Sequence, residues 1–142
     1  GAKVIYYSAS GAPAQEGYEQ VDFETLLTLS DIISVHAPLN EHTEGLINSK
    51  AFEKMKSSCI FLNLGRGPIV DEQALYNALV KNQIAAAGLD VLCKEPMSAD
   101  NPLLKIKDSK RLLITPHIAW ASVEARTHLM EIIHGQVKDF FA

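Results

Sequence analysis

Five short apolar stretches recur along the chain: Val4-Ile5-Tyr6-Tyr7, Ile32-Ile33-Ser34-Val35-His36, Ile60-Phe61-Leu62-Asn63-Leu64, Ala86-Ala87-Gly88-Leu89-Asp90 and Leu112-Leu113-Ile114-Thr115. Their starts lie roughly 25 to 28 residues apart. Each run is continuous rather than alternating, which suits parallel strands covered on both faces. Helical patterns stand between them. Asp22 can cap a helix with Phe23, Leu26, Leu27 and Leu29 as its apolar residues. Asp71 can cap a second, in which Ala74, Leu75, Ala78 and Leu79 repeat on one face. Ser122 can cap a long third running through Leu129, Ile132, Ile133, Val137 and Phe140. Gly135 inside it costs up to ~1 kcal/mol relative to alanine. Ser8 to Glu19 and Lys94 to Asp100 read as loops, and a short helical turn is predicted over Asn101 to Ile106. Strand and helix alternating on this period predict an α/β fold, a doubly wound parallel sheet.

In an open parallel sheet, ligands bind outside the carboxyl ends of the strands. The segments that follow the apolar runs are therefore the ones to inspect. They are Ser8-Ala9-Ser10-Gly11, His36-Ala37-Pro38-Leu39-Asn40, Gly65-Arg66-Gly67-Pro68, Asp90 with Glu95-Pro96 beyond it, and Pro116-His117. Arginine, glutamate and histidine thus fall at three strand ends of one sheet edge. Arg66, between two glycines, can present a planar fork to a carboxylate. His117 can exchange a proton with a hydroxyl near neutral pH. A nearby Glu95 would favour the protonated imidazole and fix its tautomer. Taken singly, each has a plainer reading. Arg66 could close a surface loop, Glu95 could be a solvated turn residue, His117 a satisfied turn residue and Asp90 a helix cap. Their coincidence at matched strand ends favours chemistry on a C–OH that loses a proton and a hydride beside a clamped acid group. His36, His42, His128 and His134 lack ligand spacing, so they are assigned structural or surface roles and no metal site is expected. Trp120 is expected at the mouth of the site or on a partner surface.

Composition narrows the picture. A chain of 142 residues with 47% hydrophobic and 21% charged residues suits one globular domain. The net charge of −4 and the lack of a basic block argue against nucleic acid as a partner. No apolar run approaches a membrane span, and no signal peptide is visible. Cys59 and Cys93, without a CxxC, are expected to be buried, reduced thiols of a cytoplasmic protein.

Four segments together resemble the D-isomer specific 2-hydroxyacid dehydrogenase family. They are Ser30-Asp31-Ile32-Ile33-Ser34-Val35-His36-Ala37-Pro38-Leu39-Asn40, Asn63-Leu64-Gly65-Arg66-Gly67-Pro68-Ile69-Val70-Asp71-Glu72, Ala87-Gly88-Leu89-Asp90-Val91 with Glu95-Pro96, and Thr115-Pro116-His117-Ile118. Within the family the chain looks most like the glycerate (hydroxypyruvate) dehydrogenase branch. The resemblance implies a Rossmann-like NAD-binding domain. Arg66 would bind the substrate carboxylate, His117 would be the acid/base and Glu95 would pair with it. Asp90 would sit near the nicotinamide carboxamide. Ala37, Pro38, Thr43 and the Leu64-Gly65-Arg66 backbone would line the cofactor, with Ser8 and His117 beside it.

The sequence departs from the family pattern twice. No G-x-G-x-x-G turn is present, so the chain is expected to be a fragment lacking the first strand, the pyrophosphate turn and the substrate domain. Residues 1–121 would form the greater part of the NAD-binding domain, and 122–142 a helix leading back toward the substrate domain. Ser8 also stands where the family often carries an acid for the adenosine ribose. Serine permits NAD or NADP, but no Arg or Lys lies between Lys3 and Lys50 to hold a 2′-phosphate, which favours NAD. The expected function is hydride transfer between NAD(H) and a small 2-hydroxy or 2-keto acid by a homodimer. A dinucleotide-sensing, corepressor-like interaction protein of the same fold is the alternative.

Overall fold

The computed structural model describes residues 1–141. Strand β1 (Ile5–Tyr6) pairs in parallel with β2 (Glu19–Gln20). Then come α1 (Phe23–Leu29), β3 (Ile32–Val35), α2 (Ser49–Lys54), β4 (Ile60–Asn63), α3 (Glu72–Val80), β5 (Ala86–Leu89), β6 (Leu112–Ile114) and α4 (Val123–Phe140). Short 3₁₀ turns cover Gly67–Ile69 and Pro102–Lys105. Strands β3, β4, β5 and β6 form a parallel sheet in that order, with Ile32 opposite Ile60 and Ile60 opposite Ala86.

All five apolar runs become strands, and the three expected caps hold. The Asp22, Asp71 and Ser122 side chains accept from the amides of Thr25, Ala74 and Ala125. The turn expected near residue 101 forms as well, with the Asn101 side chain accepting from Leu103 N–H. Helix α2 was not expected. Its six residues are too few to display a 3.6-residue repeat. Its start is nonetheless fixed by Asn48, whose side chain accepts from Lys50 and Ala51 N–H. Strand β2 corrects the expectation of an unbroken loop from Ser8 to Glu19. Glu19 and Gln20 carry no apolar signal and are held by pairing with Ile5 and Tyr6.

The core lies on one face of the sheet. Ile33, Phe61, Ala87 and Leu112 point into it and meet Leu27, Phe52, Ala74, Leu75, Ala78 and Leu79 from α1, α2 and α3. Phe52 and Phe61 stack edge to face at 5.5 Å. On the opposite face Ile32, Ile60 and Leu113 are 61%, 40% and 60% exposed. The expectation of strands covered on both faces therefore fails for the described residues. Continuous apolar runs record a burial requirement that this chain meets on one face only. Helix α4 likewise buries none of its residues. Cys93 is a second correction. Both cysteines are free, but only Cys59, packed into the core just before β4, is buried, whereas Cys93 is exposed on the loop after β5.

β1 and β3 do not pair, so two sheets flank a cleft of about 590 Å³ lined by Tyr6, Tyr7, Ser8, Ser34, Val35 and His36 among others. In the doubly wound order a further strand would stand between β1 and β3, and none of the described residues forms one there.

Candidate active site

The ends of β4, β5 and β6 lie side by side, and each carries a candidate residue. After β4, the buried Asn63 shapes the turn. Its Oδ1 accepts from Gly65 N–H at 3.1 Å and its Nδ2 donates to the Arg66 carbonyl at 3.0 Å. Two glycines let this turn press on its neighbours. A Cβ on Gly65 would lie 2.9 Å from the Ala37 carbonyl oxygen, and one on Gly67 would overlap the Leu92 carbonyl outright. Arg66 between them is exposed. Its Nη1 donates to the Gly65 carbonyl at 2.8 Å, and it forms no ion pair among the described residues. The rest of its fork is open to an incoming anion.

Asp90, after β5, is 3% exposed. Its carboxylate accepts from the Thr115 hydroxyl, Ile118 N–H and Ala119 N–H. Burial pushes its carboxyl upward, but these three donors, with His117 nearby, prevail and hold it below the ordinary value. Asp90 is therefore an ionised anchor for residues 115–119, its oxygens occupied from within the chain.

His117, after β6, has a φ of 55°, a left-handed conformation that few non-glycine residues adopt. Its N–H donates to the Asp90 carbonyl at 2.9 Å and the Thr115 carbonyl at 3.0 Å, and the Trp120 indole N–H donates to its carbonyl at 2.8 Å. On the ring, Nδ1 lies 2.9 Å from Glu95 Oε2. The other oxygen of Glu95 accepts from Leu92 N–H at 3.0 Å. That amide first, and the His117 contact second, hold the Glu95 carboxyl below its ordinary value. An ionised carboxylate only accepts hydrogen bonds, so Nδ1 must carry its hydrogen. Nε2 has no hydrogen-bond partner among the described residues and is the ring nitrogen free to take or give a proton. The pair stays open to solvent, the two side chains being 42% and 40% exposed.

Of the cofactor candidates, Ser8, Ala37, Pro38 and Thr43 line the cleft, and Leu64, Gly65, Arg66, Asp90 and His117 are not among the residues that line it. Ser8 Oγ lies 3.2 Å from Ser10 Oγ. Thr43 spends its hydroxyl on the Pro38 carbonyl at 2.6 Å and is 1% exposed, so it braces the 38–43 turn. Leu64 ties the β3 and β4 ends together through its N–H to the Val35 carbonyl. Sequence reasoning assigned no role to Asn63 or Thr115 and placed Trp120 only loosely. For Asn63 the signal was present in the Asn-x-Gly-Arg spacing, which puts its side chain two or three residues from the backbone it holds; the Thr115 hydroxyl instead reaches Asp90, 25 residues away, which the Thr-Pro-His spacing does not reveal.

The sequence profile of the family described as D-isomer specific 2-hydroxyacid dehydrogenase, NAD binding domain, matches residues 1–119. A hydroxypyruvate reductase of Blautia hydrogenotrophica is 44% identical over 142 residues, covering 99% of this chain and 43% of its own length. Among solved structures, an acyclic imino acid reductase in complex with NADPH and D-Arg superimposes with a TM-score of 0.84 at 37% identity, over 98% of this chain and 43% of its own. A D-lactate dehydrogenase from Aquifex aeolicus, complexed with NAD and lactic acid, gives 0.82 at 28% identity, over 98% and 46%. The chain thus spans less than half the length of these relatives. The chain belongs to the D-isomer specific 2-hydroxyacid dehydrogenase family, as its NAD-binding domain.

Proposed function

We propose that the protein carrying this chain moves a hydride between NAD(H) and a small D-2-hydroxy or 2-keto acid. The observation that carries the reading is the His117–Glu95 pair, 2.9 Å apart with Nε2 free, on the strand edge that also presents the unpaired Arg66.

NAD(H), when bound, supplies or takes the hydride. The cleft fits its adenosine half: Ser8, Ala37, Pro38 and Thr43 line the wall, and Gly65 keeps the Leu64-Gly65-Arg66 turn against Ala37, where any side chain would intrude. With no Arg or Lys between Lys3 and Lys50, NAD is favoured over NADP. Arg66 holds the substrate carboxylate in its fork and orients the keto group. In reduction, His117 Nε2 gives its proton to the developing alkoxide. In oxidation, it takes the hydroxyl proton. Glu95 holds Nδ1–H and keeps the ring turned to this task. Asp90 holds the backbone on which the ring is mounted.

Hydroxypyruvate and glyoxylate are the first substrates to try, given names such as hydroxypyruvate reductase and glyoxylate reductase among the relatives. The family resemblance supports a cytoplasmic homodimer, and among the described residues no helix is long and apolar enough to cross a membrane. The uncovered side of α4 supports residues 122–142 leading back to a substrate domain. The test is NADH oxidation by the intact protein with these keto acids and with aldehydes of the same size. Turnover of hydroxypyruvate to D-glycerate and of glyoxylate to glycolate, with aldehydes that lack a carboxylate nearly inert, is expected. NADH binding without reduction of any small 2-keto acid would contradict the reading.

A further inference from the structure

The mechanism leaves one carboxylate unused, that of Glu72 on the first turn of α3. It faces away from solvent into the loop after β5. Its Oε1 accepts from Cys93 N–H at 2.8 Å and its Oε2 from Asn101 Nδ2 at 2.7 Å. One side chain therefore ties both ends of the segment Cys93–Asn101, which carries Glu95. Neither donor is free to turn elsewhere. Asn101 is buried, and its Oδ1 already accepts from Leu103 N–H at 2.9 Å. The Cys93 amide belongs to the Leu92–Cys93 peptide, which lies flush against Gly67, where a Cβ would collide with it.

These contacts form a continuous chain. Glu72 fixes the Leu92–Cys93 peptide, the adjacent Leu92 N–H holds Glu95 Oε1, and Glu95 Oε2 holds His117 Nδ1. The same peptide rests on the Gly67 turn that presents Arg66. We propose that Glu72 is a positioning residue that sets the Glu95 carboxylate against the His117 ring, and so governs proton transfer without touching substrate or cofactor. The inference rests on the reading of His117 and Glu95 as the proton-transfer pair.

The geometry provides a test that separates positioning from general support. Glu72→Gln keeps size and shape but replaces one of two accepting oxygens by an NH₂, which must face either the Asn101 NH₂ or the Cys93 N–H, two donors with no acceptor between them. Asn101 cannot invert without losing Leu103 N–H. Adding Asn101→Asp repairs the fault. The new amide at position 72 then donates to one oxygen of the new carboxylate at position 101, while the other oxygen still accepts from Leu103 N–H. The charged groups facing the ring are Glu95 and Asp90; those facing the Glu72 end are the carboxylate of Asp71 and the titratable Cys93 thiol, which burial first and Glu72 next push up to about 11, so that it stays neutral. None of these is altered in either variant.

The experiment is the pH profile of kcat/KM for keto-acid reduction by the intact protein, in parent, E72Q, E72Q/N101D and E95Q, with NADH affinity and thermal midpoint measured alongside. E72Q is expected to lose about tenfold in kcat/KM on the alkaline side, less than the hundredfold or more that a lost proton-transfer group costs. Its alkaline limb should move toward acid, as in E95Q, with NADH affinity unchanged. E72Q/N101D should restore both rate and limb. If E72Q gives too little folded protein, Asn101→Ala removes the second tie from the other side and should move the limb in the same direction. A parental limb in E72Q or Asn101→Ala, with E95Q displaced, overturns the role of Glu72 alone. A parental limb in E95Q overturns the reading of the His117–Glu95 pair and this proposal with it.

Discussion

At the scale of single residues, the site depends on a histidine held in an unfavourable backbone conformation. A left-handed non-glycine residue costs on the order of 1–3 kcal/mol, and here its N–H and carbonyl are fixed by Asp90, Thr115 and Trp120. Arg66, Glu95 and His117 were legible in the sequence because each brings a distinct chemistry to a strand end. Asn63 and Trp120 were less so, since they act through hydrogen bonds to backbone that any polar side chain in a turn can make, and Thr115 because its hydroxyl donates to a carboxylate 25 residues away, on Asp90. The linkage at Glu95 has a definite sign. An ionised carboxylate bonded to Nδ1 favours the imidazolium, and reduction needs that form. Glu95→Gln removes the negative charge, so the alkaline limb of keto-acid reduction should shift to lower pH. The loss should be larger on the alkaline side than on the acid side. On the acid side, Glu95 stays ionised past its ordinary value of 4.5 because Leu92 N–H and His117 both favour the anion. The tie is lost only as the pH falls through its lowered value. Superimposed profiles of parent and Glu95→Gln would return Glu95 to a solvated turn residue. Arg66→Lys keeps the charge but loses the fork. Hydrogen bonds to charged groups contribute ~1.5–3 kcal/mol, so kcat/KM for keto acids should fall roughly 10- to 100-fold. NADH affinity should be nearly unchanged, because the Leu64-Gly65-Arg66 backbone is retained. Parental kinetics in that variant would remove Arg66 from the substrate site.

At the scale of elements, the sequence showed strands and long helices more clearly than short or polar pieces. Helix α2 is less than two turns long, and β2 has no apolar residue; both exist because of their neighbours, through the Asn48 cap and the pairing with β1. Glycines likewise need the structure before their roles separate. Gly67 lies under the Leu92–Cys93 peptide, and a methyl group there runs into backbone. Gly135 sits within α4, and a methyl group added there would meet nothing within 4 Å. Gly67→Ala should therefore destabilise by about 1–3 kcal/mol, the usual cost of overpacking. It should also lower activity, since it separates the Arg66 turn from the Glu95 loop. Gly135→Ala should stabilise by about 0.5–1 kcal/mol through helix propensity alone. Chemical denaturation of the two variants beside the parent decides the matter. Equal stability for both would mean that the close approach at Gly67 does not constrain the fold.

At the scale of the whole molecule, one sheet edge gathers the candidate catalytic residues, and the cleft between the two sheets is where we propose that the cofactor binds. The reason is topological: parallel strands with helical returns bring every strand end to the same side. That logic let the site be read from segments following apolar runs. The split between β1 and β3 and the bare sheet face needed the structure, because apolar strand patterns do not say which neighbour covers them. The account's central claim is that His117 is the acid/base of a hydride transfer to a small 2-keto acid. The most direct measurement is kcat for hydroxypyruvate or glyoxylate reduction and for oxidation of D-glycerate or glycolate, in the intact parent and its His117→Ala variant, with NADH binding measured separately. The account predicts a fall of about 10²- to 10⁴-fold in both directions at every pH, with NADH still bound. A variant that keeps the parental rate would contradict it.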